Sequence, residues 1–508
     1  MRCYLGIDVG TSGVKAVVID AEGAVRGIGF GGYDLLSPEP GWAEQDPRLW
    51  WEACDDAVRQ AAEKCGMKRE IAAIGFSGQQ QGCTTLDKDM LPVGNSIIWL
   101  DQRSGGEVSE INRLVEELDL LKITANRCLN GFTAPKLLWL RKNDPVRYEK
   151  TTKALCSKDY LRLLITGETA ADVNDASLSF LMDVPGRKWS EKMSRVLDIP
   201  LDLMPERLLE SQSEAGKLRD TIADSWGLKR AIPVVAGGGD SLTGAVGIGV
   251  VEKGIIGSSI GTSGVVYGCA DKPVIDKDDR AFYCMAHTVP GKWGFLGQVQ
   301  TAGGSFKWLR DTFFADKEYE DMTGLAARAC PGSEGLAFLP YLNGENTPVC
   351  DADARGVFFG LSYRHGTAEI CRSVMEGVTF AMRDSVDICR EACADAHEIR
   401  ACGGGARSAL WRQMQADIFN VNVLSMNMEE GPAAGAAILA SVGAGEFSSV
   451  GEACSSLLKV SGVLEPVKEN VKIYEEYYNT YKSLYPALKT RFKEQARIVE
   501  NDPGRYHI

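Results

Sequence analysis

The chain has 508 residues, too many for one hydrophobic core, so at least two domains are expected. Apolar residues make up 44% and charged residues 25%, the balance of an ordinary globular protein and not of a disordered or membrane-embedded one. The net charge of −13 speaks against a broad nucleic-acid or anionic-membrane surface, though not against a local anion site built from backbone amides.

Residues 3–34 are predicted to form three strands in a meander, with turns at Gly10–Gly13 and Asp20–Gly23. Asp46-Pro47 opens a helix whose apolar face is Leu49, Trp50, Ala53, Ala57, Val58, Ala61 and Cys65, and Gly66 ends it. Ile71–Phe76 reads as a strand leading into Ser77-Gly78-Gln79-Gln80-Gln81-Gly82, and Ile97–Leu100 as another, followed by Asp101-Gln102-Arg103. Residues from about 105 to 230 look helical and loop-like, and the sheet resumes at Ile232–Ala236. Residues 244–252 are expected to join two halves, 1–243 and 244–508. A helix over about 368–393 precedes a strand at 398–402, Gly431–Gly445 is rich in Ala and Gly, and a last helix covers roughly 467–499.

The 15 cysteines are scattered and show no C-x-x-C pair. Cys389 and Cys393, beside His397, have a metal-like spacing, but packing as small hydrophobes is the preferred reading. The four histidines, His287, His365, His397 and His507, are given no role. No basic leader or long apolar run is visible, so a soluble, cytoplasmic protein in a reducing compartment is expected.

The pentapeptide Gly-Thr-Ser-Gly-Val occurs at Gly10–Val14 and again at Gly261–Val265, each time between short apolar runs. Such strand–turn–strand units expose backbone N–H groups and hydroxyls suited to phosphate oxygens. Gly10, Thr11 and Ser12 form the first candidate group, and Gly261, Thr262 and Ser263 the second. Asp8 stands two residues before the first turn where Ser259 stands before the second, so one half alone brings a carboxylate, suited to holding a metal ion. Lys15 is near, but a solvent-facing position on the hairpin suits it as well.

A second echo pairs Val234–Asp240 with Ile399–Arg407: each is a strand, three glycines and a helix start. If the echoes are equivalent, the first half carries an insertion of roughly eighty residues. Asp240, after Gly237-Gly238-Gly239, can accept the proton of an attacking hydroxyl or can cap a helix. Gln79, Gln80, Gln81, Trp99 and Asp101 suit a polyhydroxylated ligand, or else form a polar loop with a core Trp. Thr301–Ser305 leads into a helix carrying Lys307, whose start could meet phosphate or ribose.

At these residues the chain resembles the FGGY carbohydrate kinases of the actin-like ATPase superfamily. The resemblance rests on Asp8–Ser12, on Gly131–Leu140, on Gly356–Leu361 with Glu369-Ile370 and Ser373–Glu376, and on Gly403–Ser408 with Trp411–Gln413 and Ala416–Ile418. It extends to the xylulokinase branch at Trp42–Pro47, Ser157–Arg162 and Phe338–Glu345. It implies an α/β fold of two duplicated ribonuclease H-like domains flanking a deep cleft. Residues 1–243 would bind sugar and carry the base, and 244–508 would bind ATP. It implies ATP-dependent phosphorylation of a ketopentose at a primary hydroxyl, D-xylulose first, with another ketose, a polyol or a sugar acid as the alternative. Asp240 would be the base and Asp8 the carboxylate on the Mg²⁺ side. Thr11, Thr262, Gly303 and Lys307 would lie near the phosphates, and Gly404 and Ser408 near the adenosine. Gln80, Gln81, Trp99 and Asp101 would face the sugar. The partners implied are a sugar and ATP, with a homodimer as one open assembly. Gln81 departs from the branch, which commonly has His there.

Overall fold

The computed structural model describes residues 2–278, 280–392 and 396–500. Cys393 and His507 lie outside these residues. Two seven-stranded mixed sheets dominate. The first runs in the order 214–217, 233–235, 71–78, 3–9, 13–20, 25–32, with Gly238-Gly239 also pairing with 71–78. The second runs 282–286, 293–299, 264–270, 255–260, 398–402, 422–426, 460–464. The meander of the first 34 residues forms as expected.

Cys3–Val9 is buried except at Asp8 because helices cover both faces, which is why it reads as an apolar run up to that carboxylate. Leu5, Ile7 and Val9 point into a core with Trp50, Ala53, Ala57 and Ala61 from the helix Pro47–Cys65. That helix is capped by the Asp46 carboxylate, which accepts from Arg48 N, and ends at Gly66 with φ 66°. Of its expected apolar face, Leu49 is exposed instead. The strand expected over 97–100 shrinks to Ser96-Ile97, paired with Glu44-Gln45, and the chain turns at once afterwards.

The second echo is corrected. Asp8 lies opposite Lys15 in one neighbour and Ser77 in the other, and Ser259 lies opposite Val265 and Cys402. By register, therefore, 398–402 is the counterpart of 71–78, and the turn at Gly403 matches Gly78 and not Gly237. A glycine turn follows more than one parallel strand, so local sequence cannot tell which strand it ends. The first half's extra residues then fall between 78 and 233, and the second half has its own between 299 and 398.

The halves exchange helices. Gly431–Gly443, late in the chain, lies on the first sheet: a β-carbon on Gly6 would stand 1.8 Å from Ala433 O, and one on Gly75 2.0 Å from Ala436 O. Asp240–Gly247 packs on the second sheet, where a β-carbon on Gly294 would stand 2.1 Å from a Leu242 methyl. The two helices touch backbone to backbone, with Gly435 against Thr243 O and Gly247 against Gly431 O. Leu242, Val246, Ala433, Ile438, Tyr267 and Leu296 thus share one core. Residues 244–247, expected in a joining segment, are the end of this helix. Among the described residues no helix is long and apolar enough to cross a membrane.

Candidate active site

The first phosphate-type turn is closed by Gly10 N donating to Gly13 O at 3.0 Å. A ring of side chains fixes it. Gln45 Nε2 donates to Thr11 O at 2.6 Å, and Gln79 Nε2 and Trp50 Nε1 both donate to Gln45 Oε1. Trp99 Nε1 donates to Thr11 Oγ1 at 3.1 Å, and the Tyr33 hydroxyl donates to Gly10 O. Thr11 is thereby held and Ser12 left exposed at the tip. Lys15 is ion-paired with Glu430 at the start of the exchanged helix, so it is not a solvent-facing side chain without a partner.

Asp8 ends the neighbouring strand. Burial pushes its carboxyl up to about 6, against the opposing pull of Ser77 and Lys15. Its Oδ1 is buried and accepts no hydrogen bond. A buried carboxylate oxygen without a donor suits a cation. Asp240 begins its helix directly after the three glycines. Burial, then the charges of Asp8 and Asp175, push its carboxyl up to about 7. Gly239 and not Asp240 is the N-cap of this helix, and the Asp240 carboxylate accepts from Ser241, whose hydroxyl donates to it at 3.2 Å. Gly237 has φ 79°, and a β-carbon there would stand 2.0 Å from Phe76 O, so only glycine lets this strand end sit against 71–78.

Gln80 is buried against Gly239, whose missing side chain it replaces, and its Nε2 donates to Met285 Sδ at 3.7 Å. Gln81 adopts φ 67°, and its carbonyl accepts from Lys136 Nζ at 2.6 Å. Asp101 is fully buried and committed to scaffold bonds: Oδ2 accepts from Ala43 N at 2.7 Å, and the carboxylate pairs with Arg103.

In the second half Gly261 N donates to Ser263 O at 2.9 Å. Gly303 N and Gly304 N donate to Gly261 O and Thr262 O, docking the start of helix Gly303–Phe313 on that turn. Gly403, with φ 78°, and Gly405 sit against Ile260. Ser408 caps Ala409–Phe419 by accepting from Trp411 N. Gly261, Thr262, Gly303 and Gly404 are therefore gathered at one strand end, and Ser408 opens the next helix. Lys307 is exposed and ion-paired with Asp311 on its own helix.

Three side chains escaped sequence reading. Lys136 is fully buried, burial lowers it to about 8, and it donates to Gly131 O as well as Gln81 O. Lys158 is fully buried among Asp159, Asp172 and Asp175. Asn174, also fully buried, accepts from Gly239 N at 2.8 Å. A charged residue amid apolar helix positions was the available signal for Lys136; Lys158, between Ser157 and Asp159, and Asn174 gave none.

Two mixed α/β sheets, each ending in glycine turns, with carboxylates at two strand ends of the first, are an arrangement suited to nucleotide-dependent phosphoryl transfer. The N-terminal domain model of the FGGY family of carbohydrate kinases matches residues 3–247, and the C-terminal domain model matches 257–444. The chain belongs to the FGGY family of carbohydrate kinases. It is 36% identical over 486 residues to the xylulose kinase of Staphylococcus epidermidis, covering 96% of this chain and 97% of that one. The structure of ligand-bound xylulose kinase from Lactobacillus acidophilus is similar with a TM-score of 0.91 at 26% identity, covering 97% of this chain and all of that one. That of gluconate kinase from the same organism gives 0.90 at 26%, covering 97% and 99%.

Proposed function

We propose that this kinase transfers the γ-phosphoryl group of ATP to a primary hydroxyl of D-xylulose, giving D-xylulose 5-phosphate. The observation that carries the mechanism is the pair Asp8 and Asp240 at the ends of two strands that flank 71–78, with Asp240 pushed up to about 7. A carboxylate with that basicity accepts a hydroxyl proton near neutral pH far better than an ordinary aspartate. The sugar oxygen attacks the γ-phosphorus as its proton passes to an Asp240 oxygen, and ADP leaves. The amides and hydroxyls of Gly10, Thr11, Ser12, Gly261 and Thr262 would hold the phosphates, with Gly303 and Lys307 beside them. Gly404 and Ser408 would lie beside the adenosine. Gln80, Gln81 and Trp99 would meet sugar hydroxyls, with Asp101 holding the loop that carries Trp99. Asp8 would hold Mg²⁺, directly or through water, by the oxygen that lacks a donor; the ion supplies neutralisation of the phosphate charge when bound. Residues 1–243 would form the sugar side and 244–508 the nucleotide side, apart from the exchanged helices. A cleft closing between them would exclude water, which would otherwise be phosphorylated in place of the sugar.

The similarity to xylulose kinases over nearly the full length supports the ketose, and the gluconate kinase keeps a sugar acid as the rival. A coupled ADP-release screen over ketoses, polyols and aldonates decides. D-xylulose giving the highest kcat/KM is the expected result. A higher value for gluconate, ribulose or a polyol reassigns the substrate, and no sugar-dependent release removes the kinase reading.

A further inference from the structure

Among the described residues, the outer strand Phe282–Ala286 of the second sheet has a neighbouring strand on one side alone, 293–299. Edge strands of this kind need their free N–H and C=O groups covered. Here side chains of the other half cover them. Asn126 brackets Cys284: its Nδ2 donates to Cys284 O at 2.7 Å, and its Oδ1 accepts from Cys284 N at 2.8 Å. Ser177 Oγ accepts from Ala286 N at 2.9 Å, and Asn174 Nδ2 donates to Ala286 O at 2.7 Å. Asn174 differs from the other two in what its second atom does. Its Oδ1 accepts from Gly239 N, the residue immediately before Asp240. One side chain therefore joins the edge strand of one half to the backbone that presents the carboxylate of the other.

Asn174 sits on a rigid mount. It lies in the short turn of helix Val173–Ala176, capped by Asp172, which accepts from Asp175 N at 2.9 Å. Lys158 Nζ lies 2.5 Å from Asp172 and 3.0 Å from Asp175, on either side of Asn174 in sequence. Arg162 ties the same mount to the strand end before the glycines by donating to Ala236 O at 2.5 Å. Lys158, Arg162, Asp172 and Asp175 are all buried, so the mount holds Asn174 firmly on the first half.

We propose that Asn174 is a positioning residue that couples contact between the two halves to the placement of Asp240, through Ala286 O on one side and Gly239 N on the other. This rests on the reading of Asp240 as the base. When the second half withdraws, Asn174 loses its acceptor and Gly239 its fixed donor geometry. Asp240 is then held in place for proton acceptance when the halves are together, which ties turnover to closure.

Asn126 supplies the control, because Asn126→Ala removes two bonds to the same edge strand without touching Gly239. The experiment compares Asn174→Ala, Asn126→Ala and Asp240→Asn in the full chain. Melting temperature, kcat and sugar KM are read for each, together with the ratio of sugar-independent to sugar-dependent ADP release. Asn174→Ala is expected to lower kcat by about tenfold to a hundredfold with sugar KM within threefold. It is also expected to raise the share of sugar-independent ADP release. Asn126→Ala is expected to lose comparable thermal stability with kcat within threefold. The neutral Asn174→Ser keeps a hydroxyl at the site but is too short to bridge Gly239 N and Ala286 O together. It is expected to fall between the wild type and Asn174→Ala in kcat, and it serves should the alanine variant fail to fold. Equal kcat in the Asn174 and Asn126 variants, or a fall appearing in KM alone, overturns the coupling while a dead Asp240→Asn leaves the base reading intact. An active Asp240→Asn overturns both.

Discussion

The side-chain oxygen of Gln81 occupies the space a side chain at position 131 would need: a β-carbon on Gly131 would stand 2.0 Å from Gln81 Oε1. Lys136 holds the backbone carbonyls of both residues, so neither can move away. Gly131→Ala is thus expected to turn the Gln81 amide out of place. If that amide meets the sugar, the lost hydrogen bond is worth roughly 0.5–1.5 kcal/mol, up to about a tenfold rise in sugar KM. Steady-state kinetics with ATP KM as the internal reference test this; an unchanged sugar KM places Gln81 away from the substrate.

Gln81→His tests the same position chemically. His is among the side chains that tolerate the left-handed conformation Gln81 adopts, so the backbone should survive. The imidazole titrates near pH 6.5 and is expected to add a limb to kcat/KM there and to reorder preference among D-xylulose, ribulose and erythrulose. Profiles from pH 5.5 to 8.5 that superimpose on the wild type count against contact with sugar.

Asp240 must be ionised to accept a proton, and its carboxyl titrates at about 7. Turnover is therefore expected to rise with pH through about 7 and to fall about tenfold per unit below it. Asp240→Asn should cut kcat by about 10²–10⁴ with nucleotide affinity nearly unchanged. Turnover within threefold of wild type would take Asp240 out of the mechanism.

Asp8 raises Asp240 by like charge, second to burial. Asp8→Asn is expected to move the acidic limb downward part of the way, because burial remains, and to raise the Mg²⁺ concentration needed for half-maximal rate. Titrating Mg²⁺ at fixed ATP and repeating the pH profile separates the two effects. An unmoved limb with normal Mg²⁺ dependence would leave Asp8 a purely structural role in the hairpin.

The same group predicts a stability change. Asp240 titrates higher folded than its ordinary 3.8, so folding favours its protonated form. Its contribution is fully present below about pH 4 and is lost as pH rises through about 7. Asp240→Asn, which stays neutral, should raise the melting temperature at pH 8 and change it little at pH 4. An equal shift at both values would show that the carboxyl carries no ionisation penalty in the fold.

The sequence by itself determined the local units of this protein: the meander of residues 3–32, the capped helix Pro47–Cys65, the repeated Gly-Thr-Ser-Gly turn and the carboxylate present in one copy alone. Each depends on residues a few positions apart, whose side-chain period and turn chemistry are written in order along the chain. Family motifs carried the rest of the expectation, down to Asp8 and Asp240. Tertiary structure decided what those units meet. Only strand register matched Gly403 to Gly78 and set aside the tempting likeness to Gly237. Only packing revealed that Gly431–Gly443 lies on the first sheet, since its small residues announce a close approach without naming the partner. Asp101 reads as a sugar ligand in sequence, yet its oxygens are engaged by Ala43 and Arg103. Asn174 is the extreme case: its acceptor and donor roles join Gly239 and Ala286, 65 and 112 residues away, and no local pattern specifies a pair of hydrogen bonds over such separations.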